Sequence, residues 1–170
     1  GIQADLKTFS ALGVYGASAI TALTAQNTTG VRAIHDIPVE MITAQLEAVL
    51  EDLPVRAIKI GMLSRVETIE AVARVLEARA ADIPVVLDPV MVATSGAALL
   101  REEAVASLRS RLIPRACLIT PNLPETEVLT GAAVGDGEAQ MIAAGQKLCA
   151  DGARAVLVKG GHMAGKSCLD

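Results

Sequence analysis

At 170 residues the chain has the length of one domain, which can bury roughly 70% of its unfolded surface. Hydrophobic residues make up 52% of it but are interspersed with charges, so no stretch of about 18 apolar positions marks a membrane helix. A formal charge of -4, one Tyr, one Phe and no Trp argue against a phosphate-tracking surface or stacking platforms for bases, so neither nucleic acid nor a membrane is an expected partner.

The hydrophobic pattern switches repeatedly between helix and strand periods, which predicts βα alternation in a single α/β domain over residues 1–170. Leu6, Phe9 and Leu12 share a helical face that Gly13 can close, and Ala17 to Thr24 reads as a buried strand ending at Gln26-Asn27-Thr28-Thr29-Gly30. Val31 to Ile34 is a second short strand. Pro38 suits the first turn of a helix whose apolar stripe is Val39, Ile42, Leu46, Val49 and Leu50.

A strand resumes at Ala57 to Ile60, and Ser64 with Glu67 has capping-box spacing for a helix carrying Val66, Ile69, Ala73 and Leu76. Pro84 to Leu87 is the next strand. It is followed by a helix near Glu102 to Leu112, the strand Cys117 to Thr120 and a Pro-bounded loop to Pro124. Asp136 is a candidate N-cap for a helix with Met141, Ile142 and Leu148, Gly152 stops that helix, and Ala155 to Val158 is the final strand. No internal repeat or low-complexity tract interrupts this order.

Cys117, Cys149 and Cys168 form no CxxC pair, so neither a zinc site nor a disulfide framework is indicated, and Cys117 and Cys149 read as core thiols. With only His35 and His162, a His-rich metal centre and a histidine triad are not expected. The opening residues Gly1 to Lys7 lack the basic start and apolar stretch of a secretory signal, which makes the cytoplasm the expected compartment.

Polar residues follow the apolar runs: Gln26, Gly61-Met62, Asp88, Asn122 to Glu125, and Lys159. Open α/β sheets bind ligands beyond the carboxyl ends of their parallel strands, so this placement predicts one cleft built from successive loops and a small-molecule enzyme.

Each of these residues has a functional and an ordinary reading. Asn122 and Glu125 can hold the water shell of Mg²⁺ and orient phosphates, or simply cap a helix; taken alone, capping is favoured. Asp88 can contact a metal or a substrate hydroxyl, or end its strand in an Asp-Pro turn. Lys159 suits charge developing on a transferred phosphoryl group, or is a solvated Lys before a glycine turn, and His162 reads equally as a loop residue. Gln26 can pair with a heterocycle edge that offers both donor and acceptor, or cap a loop. Met62 can pack on a flat ring, although a core methionine is the plainer reading.

Gly160 to Ser167 matches the P-loop pattern G-x-x-x-x-G-K-[ST]. The expected helix has no room before Asp170 and no Walker B strand follows, so Gly165-Lys166-Ser167 reads as a turn, with a P-loop NTPase fragment as the alternative.

Six segments in order, Gly1 to Thr8, Thr21 to Thr28, Lys59 to Leu63, Leu87 to Met91, Thr120 to Glu125 and Lys159 to His162, closely resemble the hydroxymethylpyrimidine/phosphomethylpyrimidine kinases of thiamine biosynthesis. The resemblance implies a ribokinase-like three-layer α/β fold with a mainly parallel central sheet. It implies transfer of the γ-phosphoryl of ATP, with Mg²⁺, to 4-amino-5-hydroxymethyl-2-methylpyrimidine and then to its monophosphate, and it implies a homodimer.

By matching position, Asp5 and Gln26 would bind the pyrimidine's polar groups while Met62 and Val90 pack on its ring. Asn122 and Glu125 would organise Mg²⁺ and phosphates, with Asp88 nearby, and Lys159 would stabilise the transferred phosphoryl group. Two departures from the family pattern lead to the expectation of a kinase domain truncated at both ends: the strand before the N-terminal glycine-rich region and the C-terminal Gly-Thr-Gly-Cys anion-hole loop are missing. Cys168, preceded by Gly165-Lys166-Ser167, does not fill the latter role, so the chain alone is expected to be inactive. The competing functions are a pyridoxal or pyridoxine kinase of the same fold and a non-catalytic ligand-binding module.

Overall fold

The computed structural model describes residues 1–91, 102–135, 137–161 and 170. Three parallel strands, β3 (Ile58–Ile60), β4 (Val85–Leu87) and β5 (Leu118–Ile119), lie side by side in that order. They pair Ile58 with Val85, Ile60 with Leu87 and Leu87 with Ile119. Beyond β5 the chain adds single parallel bridges, Ile119 to Val156 and Asn122 to Lys159, in place of a regular final strand. Every parallel neighbour is reached through helical crossovers, as parallel pairing requires.

The helices are α1 (Ile2–Ala11), α2 (Val39–Asp52), α3 (Val66–Arg79), α4 (Glu102–Ser107), α5 (Leu123–Thr130) and α6 (Glu138–Ala150); α4 runs on into a π-helical turn, Leu108–Leu112. α2 packs on α3, α3 on α4 and the π turn, and α5 on α6. Both helical groups join the sheet in one apolar cluster: Ile42, Ile69, Leu76 and Leu112 on one side of the sequence, Leu129 and Leu148 on the other, with Val85, Leu87 and Ile119 from the strands. Strands covered this way read as continuous apolar runs, which is why β4 carries Val85, Val86 and Leu87 without alternation. A smaller cluster holds Leu123, Met141 and Val158. Among the described residues no helix is long and apolar enough to cross a membrane.

Of the segment expected as a buried strand, Ala17 to Thr24, residues 17–21 form no strand and residues 22–24 open β1 (Ala22–Asn27), which is largely exposed and pairs antiparallel with β2 (Gly30–Asp36). Its small Ala and Thr residues satisfy a buried-strand pattern, but the turn chemistry after them decides the pairing. Asn27 Oδ1 accepts from Thr29 N, Thr29 Oγ1 and Gly30 N at 2.9, 2.7 and 3.1 Å, which closes a hairpin.

Ser64 does not cap α3. Arg65 occupies the N-cap without a side-chain bond, and the Ser64 hydroxyl donates to Asp36 at the base of the hairpin, a stronger, charged acceptor. Gly13, at φ +72°, ends α1 as expected, and Gly152, at φ +115°, follows the C-cap of α6. The N-cap of α6 is Gly137, while Asp136 lies outside the described residues. Cys149 is exposed, contrary to the core expectation, because it faces away from the buried Leu148 row of α6; Cys117 is half-buried and its thiol donates to Val85 O at 3.1 Å.

Candidate active site

The carboxyl ends of the parallel segments bring four of the expected residues together. Asp88 follows β4, its N–H donating to Ile60 O at 2.8 Å, so its position is fixed by the β3 ladder next door. Asn122 follows β5, and Lys159 follows the Val156 segment and is locked beside it, with Lys159 N donating to Pro121 O at 2.8 Å. Lys159 Nζ then reaches over β5 to Asp88 Oδ1 at 2.8 Å. Both side chains keep partial access to solvent.

Asn122 and Glu125 do cap a helix. Asn122 Oδ1 accepts from Glu125 N at 2.9 Å, Glu125 Oε2 accepts from Asn122 N at 2.8 Å, and Pro124 sits in the first turn of α5. The ordinary reading of the pair is therefore correct as far as it goes, yet it leaves two facts over. Glu125 is only 4% exposed, and its Oε1 accepts from Met91 N at 3.4 Å, tying the loop after β4 to α5. Burial pushes the Glu125 carboxyl above its usual range, against the opposing pull of the Asn122 and Met91 amides and the Lys159 ammonium, while Asp88 pushes in the same direction as burial. A buried carboxylate, a half-buried ion pair and the positive end of the α5 dipole, its first amides closed by the capping box, form one polar patch at the end of the sheet.

The ring-binding candidates are arranged separately. Asp5 on α1 accepts from Lys59 Nζ through both oxygens, at 3.1 and 2.9 Å. Met62 is half-buried after β3 and its carbonyl accepts from Thr21 Oγ1 at 2.9 Å; Val90 is half-buried two residues beyond Asp88. Gln26 lies within β1, not beyond a parallel strand: it is exposed, opposite Val31 and beside a register shift between Ala25 and Gln26. Among the described residues no hydrogen bond joins Gln26 to the strand-end patch. His162 and most of the P-loop-like stretch, residues 162–167, lie outside the described residues.

Lys59 is the residue that strand reading passed over. Its signal was available: a charge inside the apolar run Ile58-Lys59-Ile60 of a covered strand needs a partner.

The family model described as phosphomethylpyrimidine kinase matches residues 1–170. The chain is 56% identical over 170 residues to the hydroxymethylpyrimidine/phosphomethylpyrimidine kinase of Rhizobium meliloti (strain 1021), covering 100% of this chain and 63% of that protein. It thus spans about three fifths of that relative's length. A crystal structure of phosphomethylpyrimidine kinase from Clostridium difficile 630 is similar at TM-score 0.88 and 48% identity, over 98% of this chain and 71% of that one. A pyridoxal kinase from Staphylococcus aureus, solved with AMP-PCP and pyridoxal, is similar at TM-score 0.80 and 35% identity, over 95% of this chain and 57% of that one.

Proposed function

The chain belongs to the phosphomethylpyrimidine kinase family, and from that premise we propose that its strand-end patch phosphorylates a small aminopyrimidine alcohol with ATP. The substrate is 4-amino-5-hydroxymethyl-2-methylpyrimidine and, in a second transfer, its monophosphate, which serves thiamine biosynthesis. The observation that carries this reading is the junction of Lys159, Asp88, Asn122 and Glu125 across three consecutive strand ends. Phosphoryl transfer asks the protein mainly for positioning and for positive charge at the transferred group. Lys159 supplies that charge, and Asp88 holds its ammonium at the patch until phosphate oxygens compete for it.

Asn122 and Glu125 fit Mg²⁺ through its waters. Their facing atoms are committed to the cap of α5, but a carboxylate has about four acceptor positions and two of Glu125's are in use. Mg²⁺ usually keeps several waters, so it would be held there largely through its hydration shell and the phosphates of ATP. Bound there with ATP, the ion would neutralise phosphate charge. Asp5 and Gln26 take the ring's amino group and nitrogen, and Met62 and Val90 flank the ring. A homodimer is the assembly to be tested by light scattering.

The deciding experiment is ATP-dependent turnover of the aminopyrimidine by the full-length protein and by its Lys159→Met variant. The expected loss in kcat is about 10²–10³-fold, the size found for removing one donor to developing charge, with KM for the alcohol nearly unchanged. Wild-type binding of the alcohol without ATP consumption would make the protein a ligand-binding module instead.

A further inference from the structure

We propose that Lys59 is a positioning residue for the ring-binding end of the site, acting through Asp5; this rests on the reading of Asp5 as a contact to the aminopyrimidine. α1 has no buried residue. Leu6 and Phe9 lean on Gly16, where a side chain would come within 2.9 Å of both, so α1 rests closely on the loop that follows it. Among the described residues, the hydrogen bonds that leave α1 for the rest of the fold, beyond that adjoining turn, are the two that Lys59 donates to Asp5. The helix that carries Asp5 is thus registered to the central sheet by one ammonium.

The geometry favours orientation over bulk stability. Lys59 sits in β3 between Ile58 and Ile60, paired with Val86 of β4, so its stem starts from a backbone held on one side by the parallel ladder. Its ammonium spans both carboxylate oxygens of Asp5, which fixes the plane of the carboxylate and leaves the outer acceptor positions for a ligand's amino group. The pair is partly solvated, with side-chain exposures of 27% and 30%, where ion pairs add little to stability, so its effect is expected in binding.

The test is calorimetric titration of the aminopyrimidine alcohol, with steady-state KM for alcohol and for ATP, in Lys59→Met, Lys59→Arg and Asp5→Asn. Lys59→Met is expected to weaken the alcohol about tenfold while KM for ATP stays within about twofold, within the range of coupling between contacting residues, and Lys59→Arg is expected to restore most of the loss. If Asp5→Asn weakens the alcohol and Lys59→Met does not, the inference fails and the ring-binding reading stands. If Asp5→Asn leaves the alcohol's affinity unchanged, that reading fails and the inference goes with it. Equal weakening of alcohol and ATP in Lys59→Met, with a lowered Tm, would make Lys59 a structural residue and overturn the proposal. Lys59→Gln is read the same way should Met at this position prevent folding.

Discussion

Asp88 and Lys159 are 71 residues apart in sequence, yet Lys159 Nζ donates to Asp88 Oδ1 at 2.8 Å, spanning the strand that lies between their own. Because both residues are anchored by backbone bonds at their strand ends, the pair reports the register of the sheet as much as an attraction between charges. Asp88→Asn keeps a hydrogen-bond acceptor for Lys159 but removes the charge that holds it. The expected result is a kcat lowered about tenfold by a less well-placed ammonium, with stability changed by about 1 kcal/mol or less, since the pair is partly solvated. Thermal melts and steady-state kinetics on the same preparation check both halves.

Asn122 has a structural duty that can be measured apart from any chemistry. Loss of its side-chain cap in Asn122→Ala is expected to cost about 1 kcal/mol, or about 2–4 °C in Tm for a chain of this size. Asn122→Ser should recover most of that stability, because a hydroxyl also accepts from the third helical amide. If activity stays low in the Ser variant while Tm returns, the amide acts on the phosphates or the hydrated ion as well as on the helix.

Gln26 is exposed on β1, so its substitution should leave the fold nearly untouched, within about 0.5 kcal/mol. Gln26→Met removes a paired donor and acceptor that suit an amino group beside a ring nitrogen. The expected outcome is a fall of about tenfold or more in kcat/KM for the aminopyrimidine and a smaller change for pyridoxal, measured side by side. Equal falls for both alcohols would remove Gln26 from the choice of ring.

Leu87 links the core to the patch. It is fully buried as the last residue of β4, directly before Asp88, and pairs with Ile60 and Ile119 on either side. Leu87→Ala should destabilise the fold by about 2–5 kcal/mol through lost burial and the cavity left behind. Chemical denaturation gives the number. Lowered kcat at temperatures where the variant is still folded would show that strand packing sets the Asp88 position.

What the sequence made legible follows from period and burial. β3, β4 and β5 are short apolar runs between helices with clear 3.6-residue stripes, and covered parallel strands leave no other pattern to read, so the polar residues after them were placed correctly at the strand ends. The hairpin is not legible because Ala22-Leu23-Thr24-Ala25 fits a strand of either kind, and composition alone does not separate a buried strand from an exposed arm. Capping-box spacing at Ser64 is local, whereas Asp36, the group that takes its hydroxyl, lies 28 residues earlier and is not legible from spacing. The same holds for Lys59, whose partner Asp5 is 54 residues away on a different element. Asn122 and Glu125 were legible as a cap, while the burial that distinguishes Glu125 from any first-turn acid belongs to the tertiary fold.

That burial makes Glu125 the residue where stability and function should part. Its carboxyl titrates above the ordinary 4.5 in the folded chain because burial disfavours the charge. The folded state therefore holds its proton after the unfolded chain has released one, and this contribution to stability is present below the ordinary value and is lost as pH rises through the raised one. Glu125→Gln has no such titration, and its amide oxygen can still accept from Asn122 N, keeping the capping box. The Tm of Glu125→Gln relative to wild type is thus expected to rise between about pH 4 and about pH 7. A difference that stays flat or falls over that range would mean that the amides of Asn122 and Met91 and the Lys159 ammonium outweigh burial. In the same variant kcat should drop, since a neutral amide attracts a hydrated dication less than a carboxylate does, and excess Mg²⁺ should recover part of the loss. A variant that is more stable at neutral pH, slower, and partly rescued by Mg²⁺ is what a carboxylate kept buried for chemistry requires. A cap with no further role would gain the stability and lose nothing.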